Sequence, residues 1–204
     1  MHTPSHFKID DEKLIDQFLR DHSFGTLISA GSPYPLATHI PMELETNTQG
    51  NPVLRGHISK ANPQWHSWAS HPQVLAVFLS PIHHYISSSW YNHPNVPTWN
   101  YMSVHISGEL SILTGEELKE SLRRLTDKYE KESKNPVSLD QLPVAVQNQI
   151  NGIVGFEIQI NRKEASFKLS QNRNEEDFMN IITELKNSGN SQAIQLAEIM
   201  EQIK

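Results

Sequence analysis

The sequence contains no cysteine among its 204 residues. This absence excludes disulfides, thiolate catalysis, iron–sulfur clusters and zinc sites built from cysteine. The chain also has no apolar run near the ~20 residues that a membrane-spanning helix needs. Residues 1–10 lack the apolar core of a signal peptide. We therefore expect a soluble cytoplasmic protein with no membrane partner.

Positive charge is scarce as well. The chain has 17 Lys and Arg against 23 Asp and Glu, which gives a net charge of −6. Proteins that bind nucleic acids usually carry a basic face or stripe, so the composition argues against direct DNA binding. The glycine-rich loops of P-loop ATPases and of Rossmann domains are also missing from the sequence.

Histidine is abundant by contrast, with 11 residues. No metal-binding spacing such as His-Glu-x-x-His occurs, so no metal site is predicted. For each histidine a hydrogen-bonded structural role is favoured, and ligation of haem by one of them is the alternative. The sequence assigns no catalytic residue, because paired glutamates such as 116–117 lie at predicted helix starts, where they favour the helix dipole.

The spacing of apolar residues predicts the secondary structure. The predicted strands are 24–29, 36–45, 53–58, 73–79, 83–89, 100–113, 153–160 and 165–169, with a break at Gly108 and a turn at 161–163. The predicted helices are one after Asp10, a short one from Pro63, and 116–131, 142–150, 175–186 and 191–203.

The order of these elements predicts the fold class. Hairpin-like spacing with few helices between strands favours an antiparallel Greek-key barrel over a Rossmann sheet. The fold is therefore expected to be mainly β with peripheral helices (α+β). Because no linker interrupts the chain, we predict a single domain over 1–204, with C-terminal helices at about 174–204.

Residues 87–101 form an unusual aromatic block, with Trp90, Tyr91, Trp99 and Tyr101 among serines, asparagines and prolines. A buried strand would be richer in Val, Ile and Leu. Large rings beside hydroxyls and amides suit a surface that holds a flat, polar-edged molecule, and they equally suit a subunit interface. Core packing is the third interpretation. The surplus of aromatic residues predicts a homodimer.

A polar segment follows the predicted strand 53–58. Ser59, Lys60 and Asn62 precede Pro63, where a helix is predicted to begin. Backbone N–H groups, the positive end of a helix and a lysine together suit a phosphate, and Arg55 could contribute from the same face of the strand. A capped helix with a solvated lysine is the alternative, and the local pattern alone favours it because capped helices are common.

The segment 168–173, with sequence Lys-Leu-Ser-Gln-Asn-Arg, links the last predicted strand to a helix that Asn174 would cap. Its Lys168, Gln171 and Arg173 could hold a cofactor or an anionic substrate. An ordinary strand–helix connection is the alternative interpretation, and the pattern does not favour either one.

Several stretches resemble the PaiB family of FMN-binding negative transcriptional regulators. The similar stretches are 24–27, 37–41, 56–65, 85–91, 96–101, 104–105 and 168–173. The resemblance implies an FMN-binding split β-barrel and a homodimer with FMN near the subunit interface. It also favours a phosphate site at Ser59, Lys60 and Asn62.

The cofactor-binding residues expected for FMN come from the predicted strands 36–45 and 53–58, both polar segments and the aromatic block. They are His39, Pro41, Arg55, His57, Ser59, Lys60, Asn62, Trp99, Asn100, Tyr101, Lys168, Gln171 and Arg173. Three functions stay open: a flavin-dependent regulator of transcription or metabolism, an FMN-dependent oxidoreductase or flavin reductase, and a haem-binding or haem-degrading protein. Similarity of fold does not choose among them.

Overall fold

The computed structural model describes residues 1–203. Its strands are β1 (Lys8–Ile9), β2 (Phe24–Ser29), β3 (Leu36–Pro41), β4 (Glu43–Thr46), β5 (Pro52–Ser59), β6 (Gln73–Leu79), β7 (His84–Ile86), β8 (Thr98–Leu113) and β9 (Ile153–Lys168). Its α-helices are α1 (Glu12–Asp21), α2 (Gly115–Glu130), α3 (Val144–Gln147), α4 (Glu175–Asn187) and α5 (Ser191–Ile203). The C-terminal helices were predicted to reach residue 204, which lies outside the described residues.

The strands form an antiparallel sheet. The main path of hydrogen-bonded neighbours is β3-β2-β6-β8-β9-β5-β4, while β1 pairs with β9 and β7 pairs with β8. Register is fixed by pairs such as Gly25 with Ile40 and Gly56 with Phe156. The predicted mainly-β class with peripheral helices is therefore confirmed. Within the described chain, no helix is both long and apolar enough to cross a membrane.

The chain divides into two compact units. Unit 1 comprises residues 1–18, 78–105 and those from Glu164 onward. Unit 2 comprises residues 19–77 and 106–163. Strands β6, β8 and β9 each contribute residues to both units.

Unit 2 is built around the β4–β5–β9 ladder and β2–β3. Leu54, Ile58 and Phe156 are buried under it, and the Trp68 ring meets the Phe156 ring edge-on with centroids 5.4 Å apart. Burying aromatic rings of this size is a major source of stability. The short 3-10 helix Pro63–Ser67, which ends just before Trp68, follows β5 directly.

Unit 1 contains the α4–α5 helix pair. Phe178, Ile182 and Leu185 of α4 and Leu196 of α5 are buried. Helix α4 starts as the sequence predicts, because the Asn174 side chain accepts the Asp177 N–H at 2.8 Å. Such a cap satisfies one of the free N–H groups of the first turn.

The predicted strand 36–45 is divided at Met42. Strand β3 pairs with β2, whereas β4 pairs with β5, so the chain changes partner between them. Pro41 has no N–H to give to a ladder, and the Met42 N–H donates instead to the Ser23 carbonyl at 2.8 Å. The predicted strand 83–89 is also shorter, because β7 gives way to a 3-10 helix at Ser88–Trp90.

Two interruptions predicted from the sequence are wrong. Strand β9 runs unbroken through the predicted turn at 161–163, and β8 runs unbroken through Gly108. A Cβ atom at Gly108 would overlap the Gln159 carbonyl oxygen. Glycine is therefore required there by the close approach of β9, and it does not end the strand.

Candidate functional site

The loop after β5, residues 59–62, is the first part of the site and lies in unit 2. The Asn62 side chain accepts the Gln64 N–H at 2.9 Å, and its amide donates to Thr38 Oγ1 at 2.8 Å. The backbone N–H groups of Lys60 and Ala61 donate to the Gly152 carbonyl and to Ser59 Oγ. The loop is therefore held in one conformation by its own hydrogen bonds.

Two donors of this loop are left for a ligand. Ser59 Oγ accepts from Ala61 at 3.2 Å, so its own O–H can still donate. The Lys60 side chain is exposed, and its ammonium forms no ion pair with any residue from 1 to 203. A lysine and a hydroxyl on consecutive residues of a loop are groups that suit a phosphate.

A cleft of about 490 Å³ opens beside this loop. Pro41, His57, Ser59 and Asn62 line it, together with the backbone at Gly152. The His57 ring is half-buried, and that burial lowers its pKa. Burial thus favours the neutral form of His57, which can donate through one ring nitrogen and accept through the other.

A second cleft, of about 400 Å³, lies on the Lys60 side of the loop. Its walls include Trp65, Leu113, Leu118 and Ile150. The Trp65 indole is fixed, because its Nε1 donates to the Lys60 carbonyl at 3.0 Å. An apolar cleft with a lysine at its edge suits a flat apolar ring that carries a negative group.

Two other predicted residues of unit 2 have partners of their own. The Arg55 guanidinium is buried, with Glu157 Oε2 at 2.6 Å from Nη2 and Glu45 Oε2 at 3.2 Å from Nη1. Two carboxylates thus occupy the charge of Arg55. His39 is exposed on β3, where its Nδ1 lies 2.8 Å from Thr26 Oγ1 on β2.

Sequence reasoning missed the role of Gln64. Its side chain is 1% exposed, and it accepts from Thr38 Oγ1 at 2.5 Å. A buried amide in a short helix joins that helix to the neighbouring strands and so positions the β5 loop. The only sequence signal was the match of 56–65 to the PaiB family, which does not single out Gln64.

Unit 1 holds the remaining predicted residues. Asn100 is fully buried, and its Oδ1 accepts from Ser170 Oγ at 3.1 Å. Gln171 accepts from the Leu169 N–H at 2.8 Å and donates to the Phe167 carbonyl at 2.5 Å. Both amides therefore shape the segment after β9 and have their hydrogen-bonding groups in use.

The aromatic residues of β8 differ in exposure. Trp99 is 53% exposed, and its ring meets the Tyr85 ring edge-on with centroids 6.0 Å apart. Tyr101, two residues on, is half-buried. Lys168 and Arg173 line a separate cleft of unit 1 with Thr98 and Ser170. The residues predicted to bind FMN therefore fall into two groups, one in unit 1 and one in unit 2.

Metal binding finds no support in the described part of the chain. No group of three or more His, Cys, Asp or Glu side chains there is arranged to hold a metal ion. The residues that could hold a cofactor are instead hydroxyls, amides, one neutral histidine and unpaired cations. This donor set suits an organic phosphate.

Comparison with solved structures defines the class of protein. The chain resembles a flavocytochrome from Azotobacter vinelandii with a TM-score of 0.66 and 16% identity, covering 87% of this chain and 78% of that one. It also resembles an FAD- and haem-binding protein from Mycobacterium smegmatis, with a TM-score of 0.63, 12% identity, and 84% and 78% of the two chains covered. The predicted split β-barrel fold of flavin-binding proteins is confirmed.

The family follows from the sequence. The protein-family model described as "Putative FMN-binding domain" matches residues 1–162, and the chain belongs to this family. It is 43% identical over 202 residues to "Protease synthase and sporulation protein PAI 2" of Bacillus subtilis, covering 98% of this chain and 97% of the relative. An uncharacterized protein of Emericella nidulans is 29% identical over 230 residues, with 93% and 92% covered. The resemblance to the PaiB family and the prediction of FMN as the cofactor are confirmed at the level of the family.

Proposed function

We propose that this protein binds FMN at the β5 loop and acts as a flavin-dependent regulator in the cytoplasm. The observation that carries the proposal is the pair of free donors on consecutive residues of one loop: the unpaired Lys60 lines one cleft of unit 2, and Ser59 lines the other. Membership of an FMN-binding family supplies the identity of the cofactor.

The FMN phosphate is proposed to bind Lys60 and Ser59. The ammonium supplies a full positive charge, and the hydroxyl supplies a directed donor. The helix that follows spans only Pro63–Ser67, and Asn62 caps its Gln64 N–H. Its dipole therefore contributes little, and the lysine supplies most of the attraction.

The flavin ring is proposed to lie in the cleft lined by Pro41 and His57. At about 490 Å³ this cleft is within the range of pockets that hold molecules of cofactor size. A neutral His57 can hydrogen-bond a carbonyl or a ring nitrogen without adding charge. Bound FMN would supply redox chemistry, while the protein positions and shields the ring.

A homodimer is part of the proposal. Trp99 and Tyr85 of unit 1 are 53% and 43% exposed. Aromatic residues of this size are enriched at subunit interfaces. Sedimentation at micromolar concentration is expected to give a dimeric mass, and a monomeric mass would remove this part of the proposal.

The regulatory role is supported by the Bacillus subtilis relative, whose name refers to protease synthase and sporulation. We propose that regulation acts through a protein partner or a flavin signal and not through tight DNA contact.

The alternative function is that of an FMN-dependent oxidoreductase or flavin reductase. FMN-dependent oxidation of NADH or NADPH by the purified protein would favour that alternative.

Titration with FMN tests the proposed cofactor. Flavin fluorescence is expected to change on adding protein and to saturate at one FMN per chain. The purified protein can be colourless and still pass this test, because the cofactor is held without a covalent bond. A linear response without saturation up to high micromolar FMN would contradict the proposal.

A further inference from the structure

A cleft of unit 1 brings together two cations that the proposed FMN site does not use. Its volume is about 240 Å³. Phe7, Val96 and Pro97 form an apolar wall, and Lys168, Ser170 and Arg173 contribute to the polar side. The cleft therefore combines positive charge with an apolar surface.

Neither cation has an acidic partner. Lys168 Nζ donates to Thr98 Oγ1 and lies 5.8 Å from the centroid of the Phe7 ring. The Arg173 guanidinium lies over the Tyr91 ring, 4.7 Å from its centroid. Among residues 1–203, neither Lys168 nor Arg173 forms an ion pair with a carboxylate. Arg55, by contrast, pairs with two carboxylates.

The buried part of Arg173 is also unsatisfied. Its Nε atom is buried and has no hydrogen-bond acceptor within the described residues. A buried N–H without an acceptor destabilises the folded protein. Arg173 also lines the cleft, where the other N–H groups of its guanidinium can donate to a ligand oxygen.

The positive charges of Lys168 and Arg173 also repel each other. Burial lowers the pKa of Lys168, and the Arg173 guanidinium lowers it further. Partly buried like charges are tolerated where a ligand of opposite sign neutralises them. An anion in the cleft would reverse both effects and favour the charged lysine.

The segment that carries the two cations is preorganised. Ser170 is 3% exposed and has φ 63°, a left-handed conformation that non-glycine residues rarely adopt. Its Oγ donates to buried Asn100, and the Arg173 N–H donates to the Ser170 carbonyl at 3.0 Å. The strained turn places Lys168 and Arg173 on the same cleft before any ligand arrives.

We propose that this cleft binds an oxyanion, a phosphate or carboxylate, carried by a small molecule other than the FMN at Lys60. A volume of about 240 Å³ is below the range usual for whole cofactors, about 300–1,000 Å³, so it fits an acid group with a small apolar substituent against Phe7 and Val96. The inference rests on residues of unit 1 and does not depend on FMN binding in unit 2.

Calorimetric titration of the 204-residue chain with inorganic phosphate and with benzoate tests this site. Both anions are expected to bind. Lys168→Gln or Arg173→Gln is expected to lower the affinity for each anion roughly tenfold or more. Arg173→Lys keeps the charge and should retain part of the affinity. Lys8→Gln is the matched control, because Lys8 is exposed and pairs with Asp10 at 2.7 Å.

The outcomes are separate from those of the FMN proposal. Phosphate binding that persists in FMN-saturated protein and is unaffected by Lys60→Gln supports a distinct site. If saturating FMN abolishes phosphate binding, a separate oxyanion site is excluded. Absence of binding by the wild-type protein, or equal affinity in Arg173→Gln with an unchanged melting temperature, would overturn the inference.

Discussion

Gln64 Nε2 lies 3.0 Å from Ser29 Oγ in unit 2, and both side chains are buried. The same nitrogen lies 3.2 Å from the Leu27 carbonyl oxygen and 3.3 Å from that of Leu36. This amide fixes the short helix after β5 to β2 and to the start of β3. The position of Lys60 relative to β3 therefore depends on Gln64.

Replacing Gln64 with leucine should destabilise unit 2. The change leaves the Thr38 hydroxyl without its acceptor and removes a donor from two backbone oxygens, which costs about 1–3 kcal/mol. Urea unfolding followed by tryptophan fluorescence measures the loss. Gln49→Leu is the control, because Gln49 lies in an exposed turn. A Gln64→Leu midpoint equal to that of Gln49→Leu would contradict the assigned role.

Gly108→Ala should also destabilise the fold, because the new methyl group would overlap the Gln159 carbonyl oxygen and force β8 and β9 apart. We expect a loss of about 1–3 kcal/mol, as for other overpacked sites. Gly152→Ala is the matched control, since a Cβ there meets nothing within 4 Å. Thermal melting of both variants gives the comparison, and equal melting temperatures would refute the argument.

The free energy of unfolding should fall as the pH drops below the ordinary histidine value of 6.5. Burial lowers the pKa of His57 in the folded state, so the unfolded chain binds more protons in this range and stability decreases with acid. Burial lowers the pKa of His22 and His105 in the same direction. His57→Gln should reduce the loss between pH 7.5 and 5.5 in urea unfolding, and a loss equal to that of the wild type would contradict this account.

Tight DNA binding by the purified protein is not expected. The adjacent arginines of α2 are neutralised within unit 2: Arg123 pairs with Asp140 at 2.8 Å, and Arg124 pairs with Glu120 at 2.9 Å. Non-specific DNA affinity comes mainly from free Lys and Arg, and the chain carries −6 overall. Nanomolar binding to an upstream operator, at physiological salt and against competitor DNA, would show that this expectation is wrong.

Local patterns predicted most of the fold. The apolar run that predicts β6 and the segments that predict α4 and α5 are local features of the sequence, and sequence reasoning found all three elements. The change of pairing partner at Met42 depends on tertiary structure, because only folding decides whether β2 or β5 lies next to the strand. The turn predicted at 161–163 failed for a similar reason, since polar residues in an exposed part of β9 resemble those of a turn.

The candidate site was predictable only in part. The polar segments around Lys60 and Lys168 were visible because hydroxyls, amides and cations cluster there in the sequence. The two carboxylates that engage Arg55 come from β4 and β9, so this pairing appears only after folding. The same holds for the stacking of Arg173 on Tyr91, which lies on a different segment of the chain.

The affinities for FMN and riboflavin, compared in wild type and Lys60→Gln, test the central claim most directly. Only FMN carries the phosphate. Lys60→Gln should therefore lower the affinity for FMN roughly tenfold or more and leave the affinity for riboflavin unchanged. Lys134→Gln removes the same charge from an exposed position that lines neither cleft of the proposed site, and it should change neither affinity. Fluorescence titration gives all six constants. An FMN affinity in Lys60→Gln equal to that of the wild type, or an equal loss for both flavins, would contradict the placement of the FMN phosphate at Lys60.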